Sequence, residues 1–185
     1  IDPAVMDNYA FRHASHNGHI ETVRVLLEDK RVDPSAEENY ALGFACQHGF
    51  TDIVKLLVKH PKIDPTYSKN TPISIASQQG NGEIVAFLLK DKRINPADDN
   101  NASIRLASQN GHYKIVDMLL KDPRVDPSAA NNYSLIYAAN NGHIEVVKLL
   151  LSHPGVDPSD DNNYALASAS RSGHINVVEL LINDP

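Results

Sequence analysis

The sequence predicts an all-α solenoid of six stacked helix–turn–helix repeats, with short turns projecting from one edge. Three observations carry that expectation. Units starting at Asp2, Asp33, Asp64, Asn95, Asp126 and Asp157 recur every 31 residues without insertion, and a fixed period in this range marks a repeat array. Apolar residues after each internal glycine fall at helical spacing, as Ile144, Val147, Leu150 and Leu151 do. Several columns never vary, which one short helix pair cannot explain by itself. Such a pair cannot bury both its faces, whereas stacked pairs can. The chain is therefore read as one solenoid over residues 1–185, with repeats 2–32, 33–63, 64–94, 95–125, 126–156 and 157–185, as a segment of a longer array.

Each unit opens on a proline: Pro3, Pro34, Pro65, Pro96, Pro127 and Pro158. Proline disfavours helix in the residue before it, so this column marks an extended connector. Asn8, Asn39, Asn70, Asn101, Asn132 and Asn163 follow. They stand ahead of the first helix and are expected to cap it, stabilising each start by about 1 kcal/mol. The first helix holds an invariant alanine at 14, 45, 76, 107, 138 and 169, which implies that a neighbouring backbone comes close. Gly18, Gly49, Gly80, Gly111, Gly142 and Gly173 end it in a left-handed position.

The second helix keeps Val23, Val54, Val85, Val116, Val147 and Val178 facing the core, together with Leu26, Leu57, Leu88, Leu119, Leu150 and Leu181. Its wet face carries Glu21 with Arg24, Asp52 with Lys55 and Glu145 with Lys148, opposite charges three residues apart. Gly82 opens one of these helices and weakens it by about 1 kcal/mol. Repeats three and four are therefore expected to open first.

The 185 residues carry ordinary hydrophobic and charged fractions and a formal charge of −6. That balance argues against nucleic acid, which is bound through clustered Lys and Arg. No apolar run approaches a membrane span. The single cysteine, Cys46, rules out an internal disulfide framework and points to a reducing, intracellular, cytoplasmic setting. The chain begins at Ile1, and its true start is expected upstream.

Thr71-Pro72-Ile73, the alanine four residues beyond Pro72, the following glycine and the Leu-Leu ending together resemble the ankyrin repeat, as do the Gly-His pairs at 18–19, 111–112, 142–143 and 173–174. The resemblance covers essentially the whole chain. It implies a protein-interaction surface made of projecting turns and the exposed part of the first helices. Two departures stand out. The units are shorter than the usual 33 residues of that family. The histidine of its Thr-Pro-Leu-His element is replaced by Arg12, Gly43, Ser74, Arg105, Ile136 and Ala167. The locking that this element provides is assigned instead to the Asn caps and to Tyr9, Tyr40, Tyr133 and Tyr164 packing on the turns. This compact Asp-Pro/Asn-Tyr variant is similar to long arrays in some protist and giant-virus proteins.

No catalytic constellation stands apart from the columns, so neither an enzyme nor a cofactor is expected. His13, His16 and His19 are three apart, but Gly18 breaks the helix between them, which argues against a metal site. Cys46 and His48 are two apart on a helix and do not face each other. Gly80-Asn81-Gly82 has no strand before it, so it is not a phosphate loop.

Contacts with a protein partner are expected where columns vary. Met6, Tyr67 and Ile136 are apolar where their siblings are polar or small, and are read as exposed. Arg12 and Arg105 are long cations in a mainly small column. Glu37, Glu38, Asp98, Asp99, Asp160 and Asp161 make acidic tips that suit a basic partner surface, although Asp is also good turn chemistry. The function read from these features is a non-catalytic scaffold that docks a protein. The alternative is a structural protein that assembles end to end through uncapped terminal repeats.

Overall fold

The computed structural model describes residues 1–183, apart from the side chains of residues 69 and 70. The expected cap Asn70 and tip residue Lys69 lie outside the described residues, as do positions 184 and 185 of the sixth repeat. Among the described residues every regular element is an α-helix, and the helices come in pairs. The chain forms two compact units, Ile1–Ile94 and Asn95–Pro185. The first holds α1 (Val5–His16), α2 (Ile20–Leu27), α3 (Ala36–His48), α4 (Thr51–Val58), α5 (Tyr67–Gln78) and α6 (Gly82–Leu88). The second holds α7 (Asp98–Gln109), α8 (Tyr113–Leu120), α9 (Ala129–Asn140), α10 (Ile144–Leu151), α11 (Asp160–Arg171) and α12 (Ile175–Ile182).

Within each unit first helices pack on first helices: α1 on α3 and α3 on α5, then α7 on α9 and α9 on α11. Second helices stack behind them in the same order. The alanine column makes the first-helix contact possible. Ala45, Ala76, Ala107, Ala138 and Ala169 are fully buried, and a larger side chain would overpack at a cost of about 1–3 kcal/mol. Val23, Val54, Val85, Val116 and Val147 are also fully buried, as are Leu57, Leu88, Leu119 and Leu150. Leu26 and Val178, at the two ends of the chain, are only partly covered. The expected weak point at Gly82 begins α6, which spans seven residues, while α4 and α8 span eight.

The start of the first helices differs from expectation. Among the described residues no asparagine side chain caps its own helix. Instead the tip residues adopt a left-handed backbone in runs of three. Met6, Asp7 and Asn8 have φ of 54°, 52° and 59°, and Asp99, Asn100 and Asn101 have 52°, 53° and 57°. Glu37–Asn39, Ala130–Asn132 and Asp161–Asn163 do the same. Left-handed L-residues cost about 1–2 kcal/mol each, least for Asn and Asp. This explains why Asn and Asp crowd these positions, Asp99 and Asp161 of the acidic tips among them.

The asparagine that closes each tip donates its N–H to the carbonyl four residues back, Asn101 to Ala97 at 2.9 Å and Asn132 to Ser128 at 2.9 Å. In repeats one, four and five its side chain also reaches the next repeat, whereas Asn39 Oδ1 in repeat two has no hydrogen-bond partner. Asn8 Oδ1 accepts from the Asp33 N–H at 2.8 Å, and Asn101 Oδ1 accepts from the Asp126 N–H at 2.8 Å. Asn132 turns its amide the other way and donates to the Asp160 carboxylate at 2.6 Å.

The Asp-Pro connector folds against its own backbone. Asp33 Oδ1 accepts from the N–H and hydroxyl of Ser35 at 3.1 and 2.7 Å, and Asp157 does the same with Ser159 at 2.9 and 2.7 Å. The preceding Asp-x-Arg loop is held by an ion pair. Arg31 grips Asp29 at 2.6 Å, Arg93 grips Asp91 at 2.6 Å and Arg124 grips Asp122 at 2.6 Å. The Arg31 hydrogen bond lowers the Asp29 carboxyl from an ordinary 3.8 to about 2.

The first-to-second-helix turn uses its glycine as expected, with φ between 72° and 79° in all six repeats. The structure adds a reason beyond backbone freedom. The residue after the next repeat's glycine lies over it. A Cβ on Gly142 would stand 2.6 Å from His174 Nδ1, and one on Gly111 would stand 2.7 Å from His143 Nδ1. The rings are tied down, since His143 Nε2 meets the Gln109 carbonyl at 3.0 Å and His174 Nε2 meets that of Asn140 at 3.0 Å. Asn81 takes this part over Gly49 and donates to the Cys46 carbonyl at 2.8 Å.

One further expectation changes. Lys55 pairs with Glu83 of the next second helix at 2.8 Å and not with Asp52. Three of the tyrosines make ring contacts along their own helices. Tyr9 stacks on His13 at 3.9 Å, Tyr40 on Phe44 at 4.2 Å, and Tyr133 meets Tyr137 at 5.5 Å, each four residues along its own helix. At that spacing helical side chains are neighbours.

Gly142→Ala and Gly173→Ala impose the same left-handed alanine, but Gly173 has nothing within 4 Å of the new Cβ. Urea unfolding should show Gly142→Ala costing about 1–3 kcal/mol more, the range for overpacking. Removing the ring with His174→Ala should abolish the excess. Asp29 is depressed when folded, so its stabilisation is full above the ordinary carboxylate range. It is lost as pH falls from about 4 through about 2. Thermal midpoints should drop across that window, and less steeply for Asp29→Asn.

Candidate docking surface

The tips and the outer faces of the first helices carry the variable side chains. In the first unit that face is an aromatic ribbon. His16 lies 4.5 Å from Phe44 and 5.2 Å from His48, centroid to centroid, and the Arg12 guanidinium sits 5.3 Å over Tyr40. Tyr9 is 50% exposed. In the second unit Tyr133, Ile136, Tyr137, Tyr164 and Arg171 line a groove of about 220 Å³. Tyr133 and Tyr164 stand 40% and 43% exposed beside it.

The named contact residues have distinct positions. Met6 is 75% exposed at its tip. Ile136 corrects the reading from sequence: it is 6% exposed and forms a wall of the groove between α9 and α11. First helices pack side by side, so this position falls in the seam and not on the outer face. Tyr67 is half-buried, and its hydroxyl donates to the Glu38 carboxylate, which raises the phenol's pKa above its ordinary value.

Arg12 and Arg105 turn back on their own tips. Arg12 Nε donates to the Asp7 carbonyl at 2.8 Å and Nη2 to that of Met6 at 3.2 Å. Arg105 makes the same pair with Asn100 and Asp99, at 2.9 and 2.9 Å. Glu37, Asp99 and Asp161 are exposed left-handed residues, as is Glu38. Asp98 accepts from the Asn95 side chain, and Asp160 from Asn132.

Among the described residues no three His, Cys, Asp or Glu side chains converge as metal ligands would. Cys46 is fully buried, and burial pushes its thiol far above the ordinary range. A buried neutral thiol is inert as a nucleophile. None of the described helices is long and apolar enough to cross a membrane.

A comparison with protein families matches a model of ankyrin repeats (3 copies) to residues 10–102 and again to residues 104–185. The chain belongs to the ankyrin-repeat family. A search of curated proteins found no match. The ankyrin helix pair, its glycine turn and its stacked first helices are all present. Ankyrin repeats are generally protein–protein interaction modules. Here the left-handed tip and its asparagine stand directly before the position of the family's Thr-Pro-Leu-His element. Arg12 and Arg105 occupy that element's histidine position and brace the tip.

Sequence reasoning missed the His143 and His174 ties between repeats and the arginine braces. The signal for the first was present: His19, His112, His143 and His174 share one column directly after the glycine.

Proposed function

We propose that the chain is a non-catalytic scaffold that docks a protein partner through its tips and first-helix faces. The observation that carries this reading is the set of exposed tyrosines, Tyr9, Tyr133 and Tyr164, on the tip and first-helix side of the repeats. Tyrosine is rich in binding energy at interfaces, with little side-chain entropy to lose. Met6, Glu37, Glu38, Asp99 and Asp161 offer side chains at the tips. Asp98 and Asp160 are engaged by Asn95 and Asn132, while Arg12 and Arg105 hold the tip shape. Ile136 walls the groove between α9 and α11, and Tyr67 stands beside Glu38. A partner with a basic surface suits the acidic tips, and an intracellular setting suits the lone buried cysteine.

Because each repeat fixes its own tip, little ordering cost accompanies binding. End-to-end self-association is the second reading, and the exposure of Ile175 and Ile182 on α12 favours it.

Both readings meet one experiment. Protein fragments are selected for binding from a displayed library, with the chain's sedimentation mass followed across concentration. A constant mass and a partner that binds at least about tenfold more weakly to Tyr133→Ala/Tyr164→Ala, a loss of about 1.4 kcal/mol, are expected. Glu145→Ala, on the second-helix side, should leave that partner unaffected. A mass that grows without limit, or a partner that tracks Glu145 and ignores the tyrosines, overturns the docking reading.

A further inference from the structure

The column of Arg12, Gly43, Ser74, Arg105, Ile136 and Ala167 contains its own template for a ligand. Where it holds arginine, the guanidinium does one thing. It bridges the carbonyls of the last two residues before the tip asparagine, Asp7 and Met6 in repeat one and Asn100 and Asp99 in repeat four. In repeat two the tip backbone is the same. Glu37 and Glu38 lie at φ/ψ of 50°/52° and 56°/47°, against 54°/51° and 52°/50° for Met6 and Asp7. The brace is absent because residue 43 is glycine.

The space that this leaves is a groove of about 260 Å³ lined by Glu37, Glu38, Asn39, Gly43, Tyr67 and Ser68. A Cβ on Gly43 would meet only the Ile75 Cδ1, at 4.0 Å. Asn39, 8% exposed, borders the groove, and its Oδ1 has no hydrogen-bond partner. Two carboxylates stand where repeat one has Met6 and Asp7. Tyr67 lines the groove from the next repeat, with its hydroxyl on the Glu38 carboxylate.

We propose that this groove binds the guanidinium of an arginine side chain supplied by a protein partner. The arginine takes in trans the place that Arg12 and Arg105 take in cis. The proposal rests on the docking reading above and names the chemistry that one tip selects. A guanidinium offers five N–H donors in a planar fork, which suits two adjacent carbonyls and an extra amide oxygen, and the glutamates match its charge. An ammonium is a point charge and cannot span the pair. Lysine is therefore a poor substitute.

The test titrates the 185-residue chain with Nα-acetyl-arginine N-methylamide, and separately with its lysine counterpart, following backbone amides by NMR. The arginine probe should shift amides 37–43 and 67–68 saturably, and the lysine probe should bind about tenfold or more weakly. Gly43→Arg should fold with a thermal midpoint at or above that of the parent and lose the response, because it fills the groove from within. If that variant does not fold, Glu37→Gln/Glu38→Gln should weaken the arginine response instead. No saturable shift, equal response to lysine, or a response retained in Gly43→Arg overturns the proposal. A selected partner that depends on Tyr133 and Tyr164 but ignores Gly43→Arg also overturns it, and leaves the docking reading standing.

Discussion

The hydrogen bond from the Asp126 N–H to Asn101 Oδ1, repeated at Asp33 and Asn8, is the interaction on which the architecture turns. It needs an asparagine held left-handed, with its carboxamide pointing out of its own repeat and into the next. That need dictates the tip. Three successive left-handed residues form a tight loop, closed by the N–H of Asn101 on the Ala97 carbonyl. The tip in turn delivers the chain to the first helix at a fixed height. The alanine column then meets the neighbouring first helix closely enough to exclude water. The tie joins an asparagine that reaches forward to an Asp-Pro turn that receives, at Asn8 with Asp33 and at Asn101 with Asp126, while Asn132 reaches the Asp160 carboxylate instead.

Function follows from how little of each unit this scaffold consumes. Alanine, glycine, valine, leucine and the tip asparagine are fixed by packing and backbone geometry. The remaining tip and first-helix positions are free, and their side chains arrive already ordered. The column of residues 12, 43, 74, 105, 136 and 167 shows the freedom best. The same place in the fold holds a brace at Arg12, a buried apolar wall at Ile136 and an open space at Gly43. One backbone thus presents three different local chemistries, as an interaction family requires.

Most of the fold was legible in the sequence because its invariant columns have local causes. Helical spacing after Gly142 and the glycine turns follow from neighbours a few positions away, and the small residues at Ala138 and its siblings show through their recurrence in every repeat. What escaped lies between repeats. Asn101 reads as a helix cap because its partner, Asp126, is 25 residues distant. Lys55 reads as pairing with Asp52, when Glu83 lies closer across the stack. Ile136 reads as exposed because the seam between first helices is not visible along one helix. The Asn and Asp crowding at 99–101, 131–132 and 161–163 was the available signal, since only these side chains tolerate left-handed backbone cheaply. The candidate docking surface was legible as a region. The tip bonds of Arg12 and Arg105 were not, because they depend on where carbonyls point.

The most direct measurement is amide hydrogen exchange in Asn101→Gly. Glycine keeps the left-handed turn and removes only the carboxamide. If the side chain ties one repeat to the next, the Asp126 amide loses its protection, while the amides of Ser103 and Ile104 in the asparagine's own helix keep theirs. If Ser103 and Ile104 lose protection and Asp126 does not change, the asparagine is a helix cap, and the tie between repeats is not what holds the stack together.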